Sequence, residues 1–243
     1  MSTLLLRLAA PLQSWGIDKF ERRGTERTPT KSGVIGLVAA ALGRRRDESI
    51  EDLQALRFGV RIEQAGMLLR DLHMAHEVEF WKKHDAKYTY MTNRYYLADA
   101  VFLGGLEGDK TFLAEIENAL CHPAFPLFLG RRSCPPEGKL SLGIRTGKTL
   151  LEALREEPWL SGIWSRRKAE PEVHLRIIAD SDEREADAYF QRDVPLSFDQ
   201  RYRKFGFRRV SESGIVIIPN PDSRQAAPKY QTKHNPMQEL RGE

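Results

Sequence analysis

Two cysteines, Cys121 and Cys134, are all that 243 residues contain. A secreted scaffold held by disulfides would carry more, so the count agrees with a reducing compartment. Long apolar runs are lacking as well. Nothing approaches bilayer-spanning length, and residues 1–8 have neither the basic start nor the long apolar core of a signal peptide. A cytoplasmic protein without membrane contact is expected. Neither sign of charge dominates, at net +4 with 30% charged and 41% hydrophobic residues, and the chain is long enough for one large domain or two small ones.

Recognisable reaction chemistry is also scarce. Cys121 and His122 are adjacent, Cys134 lies far off, and His73-x-x-His76 has no thiol partners at zinc-finger spacing, so no metal or other cofactor is expected. Gly143–Thr149 (GIRTGKT) looks like a phosphate-binding P-loop, but three residues separate its glycines where four are needed, and a shortened loop cradles phosphate poorly. LRIIAD, ending at Asp180, is at best a broken magnesium partner, which leaves a nucleotide-binding enzyme as the weaker reading. Metal-independent RNA cleavage by His73, His76 or His84 with a Lys or Tyr would need only proton transfer and charge stabilisation. The plain reading of these histidines is as polar residues of an extended arm, and no catalytic residue is assigned.

What the sequence does have is a stretch from Arg22 to Arg46, RRGTERTPTKSGVIGLVAAALGRRR. Thr30 or Ser32 can cap a helix over about Lys31–Leu42, and Gly43 can stop it. Val34, Ile35, Leu37, Val38 and Leu42 leave that helix almost no polar face, so burial on nearly every side is expected. Arg22, Arg23, Arg27 and Lys31 crowd its N-terminal end, where unpaired N–H groups and the helix dipole suit a phosphate. Residues 1–46 hold nine Lys/Arg against three Asp/Glu, residues 199–233 hold eight against three, and the middle is acidic. If the two basic ends meet, they make a surface suited to nucleic acid beside one suited to protein neighbours.

In chain order, Leu4–Ala9 reads as a buried strand, followed by the core helix, a short acidic helix over 47–56 and a strand at Phe58–Ile62. From Gly66 to Arg94 aromatic and basic residues arrive without a helical period, which reads as an arm whose rings could stack on bases. Tyr95–Leu103 reads as a strand closed by Gly104-Gly105. A helix capped by Asp109 or Thr111 and running through Leu120 follows, then a short strand at Leu127–Leu129. This order predicts an α+β fold with a ferredoxin-like (RRM-like) palm, an inserted thumb arm and additional C-terminal β structure. The expected units are a palm over 1–136 with the insertion at about 67–94, a β-rich extension over 137–218 and a flexible tail over 219–243. After Leu129, Gly130 can bring the chain close to a ligand while Arg131 and Arg132 point outward beside Ser133. The alternative for this pair is neutralisation of Glu115 or Glu117.

LRLAAPLQSWG, PTKSGVIGLVAAALG, LRDLHMAH, YYLADAVF and FLGRRSCPP occur in that order between about residues 4 and 136, and DVPLSFDQRYRKFGFRRV follows at 193–210. Together they resemble the CasD subunits of the type I-E CRISPR surveillance complex Cascade, members of the RAMP superfamily. The resemblance implies a subunit that grips the 5′ handle of the CRISPR RNA, caps the backbone filament of CasC, contacts CasA in a CasE-containing complex, and lies with its thumb near target DNA. It implies no catalysis, since CasE processes the RNA in type I-E systems. The alternative is a metal-independent processing ribonuclease, as in type I-C relatives. The resemblance carries Gln13, Ser14, Trp15, Arg27, Lys31, Ser32, Gly33, Gly130, Arg131, Arg132 and Ser133 to the handle, and His73, His76 and Arg94 to the flanks of the thumb. Arg22 and Arg23 join them from the basic entrance, and Arg201, Arg203, Lys204, Arg208 and Arg209 from the closing motif.

Overall fold

The computed structural model describes residues 1–16, 22–76, 89–181 and 187–225. Its elements are β1 (Ser2–Ala9), β2 (Leu12–Gln13), β3 (Arg22–Arg23), α1 (Lys31–Ala41), α2 (Glu51–Gln54), β4 (Arg57–Gln64), β5 (Met67–His76), β6 (Thr89–Ala98), β7 (Val101–Gly108), α3 (Lys110–Cys121), β8 (Ser141–Thr146), α4 (Leu150–Glu156), α5 (Ile163–Lys168), β9 (Glu172–Asp180), β10 (Tyr189–Ser197) and β11 (Lys204–Pro219). The result is a mixed α/β fold. Seven strands form an antiparallel sheet in the order β10-β11-β9-β4-β7-β1-β8, and β5, β6, β2 and β3 form a second sheet. No helix among the described residues is long and apolar enough to cross a membrane.

β1 reads as continuous leucine because both of its faces are covered. Leu4, Leu6 and Leu8 enter one core beneath α1 and α3, while Leu5 enters a second core with Leu150 and Leu154 of α4. The Thr30 side chain accepts the Gly33 N–H at 3.2 Å and caps α1, none of whose residues is exposed, as its composition requires. Asp109 caps α3 by accepting from Thr111 and Phe112. Arg61, fully buried, donates to Glu63 and to the carbonyls of Leu154, Glu157 and Pro158, so one guanidinium closes the C-terminal end of α4 onto β4.

Four expectations need correcting. Leu127–Leu129 is not a strand; the strand that follows α3 and pairs with β1 is β8, so the expected boundary at 136 falls before a strand of the central sheet. Gly104-Gly105 does not end a strand. Both lie inside β7, and a Cβ on Gly105 would sit 2.6 Å from Leu150 Cδ1, so the glycine makes room for α4. Tyr95–Leu103 is divided between β6 and β7 by a turn at Asp99, whose φ is +54°. The 47–56 region holds only the single turn of α2.

The Gly66–Arg94 segment is more regular than its composition implies. β5 and β6 pair antiparallel from Met67↔Ala98 to His76↔Thr89, and residues 77–88, with His84 and the middle of the arm, lie outside the described residues. β6 is paired on both sides, with β2 and β3 opposite β5, whereas β5 has no second neighbour among the described residues. Met67, Leu68, Leu69, Leu72 and Met74 of β5 are all exposed.

Candidate nucleic-acid interface

The entrance to α1 was the expected phosphate site, and it is already occupied by the protein's own carboxylates. The Lys31 N–H donates to Asp193 Oδ2 at 2.8 Å, and Lys31 Nζ pairs with Asp180 Oδ2 at 3.3 Å. Arg208 donates to both oxygens of Asp193, at 2.6 and 2.8 Å, and to Asp180 at 2.5 Å, with its guanidinium 5.2 Å from the centre of the Phe58 ring. Burial pushes the Lys31 ammonium below its usual value, and Asp180 opposes that shift. Two cations and two carboxylates balance within a buried network, so Lys31 and Arg208 tie α1 to β9, β10 and β11 and are not open to a phosphate. Ser32, half-buried, turns its hydroxyl to Thr30 at 3.4 Å, and Gly33 lies against Trp15, where a Cβ would meet the ring at 2.7 Å.

Gln13, Ser14 and Trp15 are likewise interior. Gln13 Nε2 donates to the carbonyls of Leu8 and Ala100, its Oε1 accepts from Trp15 Nε1 at 3.0 Å, and Ser14 Oγ donates to Tyr95 O. All three are at most 1% exposed. Their polar groups are spent on one another and on the backbone of β1, β6 and the turn between β6 and β7, so they form a buried floor.

That floor supports the Gly130–Ser133 turn. Gly130 has φ +85°, and a Cβ there would lie 1.6 Å from Ser14 O, so the close approach it permits is to the protein's own chain. Arg131 stacks over Tyr96 at 4.7 Å and donates from Nη2 to Arg23 O at 2.8 Å. Its Nη1 is buried without a partner, and so is Nε of Arg94. Arg94 stands next to Arg23 in the β3–β6 register. Arg23, Arg27 and Arg132 are exposed. Among the described residues no carboxylate pairs with Arg131 or Arg132, and Glu117 instead accepts from Ser141 Oγ at 3.1 Å. Guanidinium groups of Arg94 and Arg131 with buried, unused donors suit an anionic ligand.

The remaining candidates scatter. The side chains of Arg22 and His76 lie outside the described residues. His73 is half-buried, with Nδ1 3.5 Å from Thr92 Oγ1. Arg201 and Lys204 are exposed, and Arg209 is half-buried on β11. Burial and then the charge of Arg46 lower the pKa of Arg203. The P-loop look-alike is a strand followed by a capped helix. Lys148 pairs with Glu156, Thr149 and Glu152 form a reciprocal capping box, and Glu107 accepts the Leu150 N–H at 2.6 Å. Carboxylates therefore fill the position a phosphate would need. Sequence reasoning missed Tyr96 and Asp193, and weighed Asp180 only as a magnesium partner. Tyr96 carried a usable signal as a ring in the YYLADAVF motif.

Comparisons with known proteins identify the family. A family model described as CRISPR-associated protein (Cas_Cas5) matches residues 3–211. The "CRISPR system Cascade subunit CasD" of Escherichia coli (strain K12) is 38% identical over 162 residues, covering 58% of this chain and 70% of that protein. A solved structure described as "Crystal structure of Cas protein" is 37% identical with a TM-score of 0.67, covering 93% of this chain and 100% of the other. Another, a "CRISPR RNA-guided surveillance complex", is 30% identical with a TM-score of 0.74, covering 93% of this chain and 95% of the other. With a family model spanning most of its length and an antiparallel sheet shared with solved relatives, the chain belongs to the Cas5 family of CRISPR-associated proteins.

Proposed function

We propose that this chain is the non-catalytic subunit of a type I-E Cascade complex that grips the 5′ handle of the CRISPR RNA. In this reading β1, α1, β4, β7, α3 and β8 form a ferredoxin-like palm in βαββαβ order, and the β5–β6 hairpin is the base of a thumb inserted in it. The strands after β8 extend the palm, and residues 219–243 form a tail. The subunit caps the CasC filament and contacts CasA, with CasE elsewhere in the complex and target DNA near the thumb. The resemblance to the Escherichia coli CasD subunit supports these partners.

One observation carries the RNA assignment to the palm. Arg131 lies over Tyr96 with one buried nitrogen unused, in contact with the Arg23 backbone, and among the described residues no carboxylate pairs with it. A guanidinium held this way can pair with a phosphate in two-pronged fashion or extend a base stack, and an ammonium does neither as well. Arg131→Lys with Arg132→Lys should weaken binding of handle RNA at least tenfold, as expected for loss of a charge-assisted bond worth about 1.5–3 kcal/mol, with little change in melting temperature. A lowered melting temperature with unchanged affinity of the folded fraction would make the pair structural. Incubation with repeat RNA in EDTA tests the ribonuclease alternative, which requires a defined cut.

A further inference from the structure

The far edge of the seven-stranded sheet carries a second combination of rings and cations, away from the Arg131 site. Phe190 on β10 is 71% exposed and Phe207 on β11 is 65% exposed. The register sets Phe190 directly opposite Arg209, and Phe207, two residues before Arg209, shares its face. The Arg192 guanidinium lies over the Phe207 ring, 6.0 Å from its centre. Ring and guanidinium thus alternate in two successive rows. The intervening Arg208 turns to the opposite face, where the Asp180–Asp193 network and α1 fill the space. The carboxylates of the two strands belong to that opposite face too, Asp193 on Arg208 and Glu212 3.5 Å from Arg176. At the turn between the strands Tyr202 is 70% exposed, beside the exposed Lys204.

The core of a protein–protein interface is depleted in charge, whereas here cations separate the rings. Alternating rings and cations match a strand whose bases alternate with phosphates, and every base offers a face for stacking. We propose that Phe190, Phe207 and Arg192 form a second binding surface, for single-stranded nucleic acid irrespective of sequence, with bases on the rings and phosphates at the guanidinium group. The proposal is independent of the handle assignment. Tyr96 and Arg23, which Arg131 touches, belong to the second sheet, whereas Phe190 and Phe207 lie at the outer edge of the first.

The test uses the full chain and a fluorescein-labelled oligouridylate of about 12 nucleotides, within the range such surfaces occupy. Phe190→Ala with Phe207→Ala should reduce affinity about 100-fold, about tenfold per ring, without altering the melting temperature or the salt dependence. Arg192→Ala should lower the log–log salt slope by about 0.7. If the alanine pair lowers the melting temperature, Phe190→Leu with Phe207→Leu, which keeps apolar bulk and removes the ring face, carries the same expectation. Arg131→Lys with Arg132→Lys should weaken handle RNA much more than oligouridylate, and the phenylalanine pair should do the reverse. Unchanged oligouridylate affinity in both phenylalanine pairs would overturn the proposal. So would an equal loss of oligouridylate binding in the Arg131/Arg132 variant, which would mean one shared site. Loss of subunit co-purification with unchanged RNA affinity would make this face a protein interface and also overturn it.

Discussion

Asp193→Ala separates a structural from an RNA-binding role for the α1 entrance. Asp193 is 1% exposed and accepts three hydrogen bonds, two from Arg208 and one from the Lys31 N–H. Removing it leaves a helix-terminal N–H unpaired and Arg208, whose side chain is 8% exposed, with Asp180 as its one remaining carboxylate among the described residues. Removing one partner of a buried ion pair costs about 3–5 kcal/mol. The contact that Arg208 keeps with Asp180 sets the expectation near the lower end, about 3 kcal/mol. For a domain of this size each kcal/mol moves the melting temperature by about 2–4 °C, so a fall of about 6–12 °C is expected by circular dichroism. Handle RNA affinity of the folded fraction should not change. Asp193→Leu with Arg208→Met removes both partners and should cost less, about 1–2 kcal/mol, because neither charge is left stranded and only the Lys31 N–H loses its acceptor. A melting temperature unchanged in Asp193→Ala, with handle affinity lost, would refute this reasoning and return Lys31 and Arg208 to the RNA.

Gly130→Ala should destabilise by about 2–3 kcal/mol in urea unfolding, since the new Cβ would meet the Ser14 carbonyl at 1.6 Å with φ at +85° and neither backbone can yield cheaply. Gly105→Ala should cost less, about 1–2 kcal/mol, because the atom it meets is the end of the Leu150 side chain. Thr30→Ala should cost about 1 kcal/mol through the lost cap of α1. Lys31→Met tests the depressed ammonium. Between its lowered value and the ordinary 10.5 the unfolded chain binds more protons than the folded one, so Lys31 makes stability rise with pH across that window. The variant should flatten that rise in urea melts taken at successive alkaline pH values.

Where local pattern and tertiary environment agree, the sequence was readable. α1 has hardly a polar residue and is covered all round, and Leu4–Ala9 is apolar on both faces because helices lie on both. The strand after α3 was misplaced because Leu127–Leu129 is a short apolar run whose fate is set by pairing with the Cys134 and Ser14 backbones, while SLGIRT hides its strand behind a glycine. The Gly104-Gly105 pair reads locally as a terminator, and its purpose is visible only once α4 arrives from 45 residues later at Leu150. At the site, positive charge was legible and its partners were not. Asp180 and Asp193 lie 149 and 162 residues beyond Lys31, and they decide that this cation is internal. Arg131 stood out as a basic residue after a glycine, and the Tyr96 ring over which it lies could have been suspected only from the YYLADAVF motif.

The outer edge of β5 bears on how the protein has to be handled and made. Ten residues of strand end in main-chain groups with no neighbour among the described residues, flanked by exposed Met67, Leu68, Leu69, Leu72 and Met74. Natural sheets commonly guard such an edge with charged residues, proline or a bulge, and this stretch of β5 has only Arg70 and Asp71 to do so. A free copy is therefore adhesive towards other copies, and light scattering from the isolated chain should grow with concentration and fall on Leu72→Lys. For a cell, such a protein is safest when its supply never outruns the surfaces that cover it.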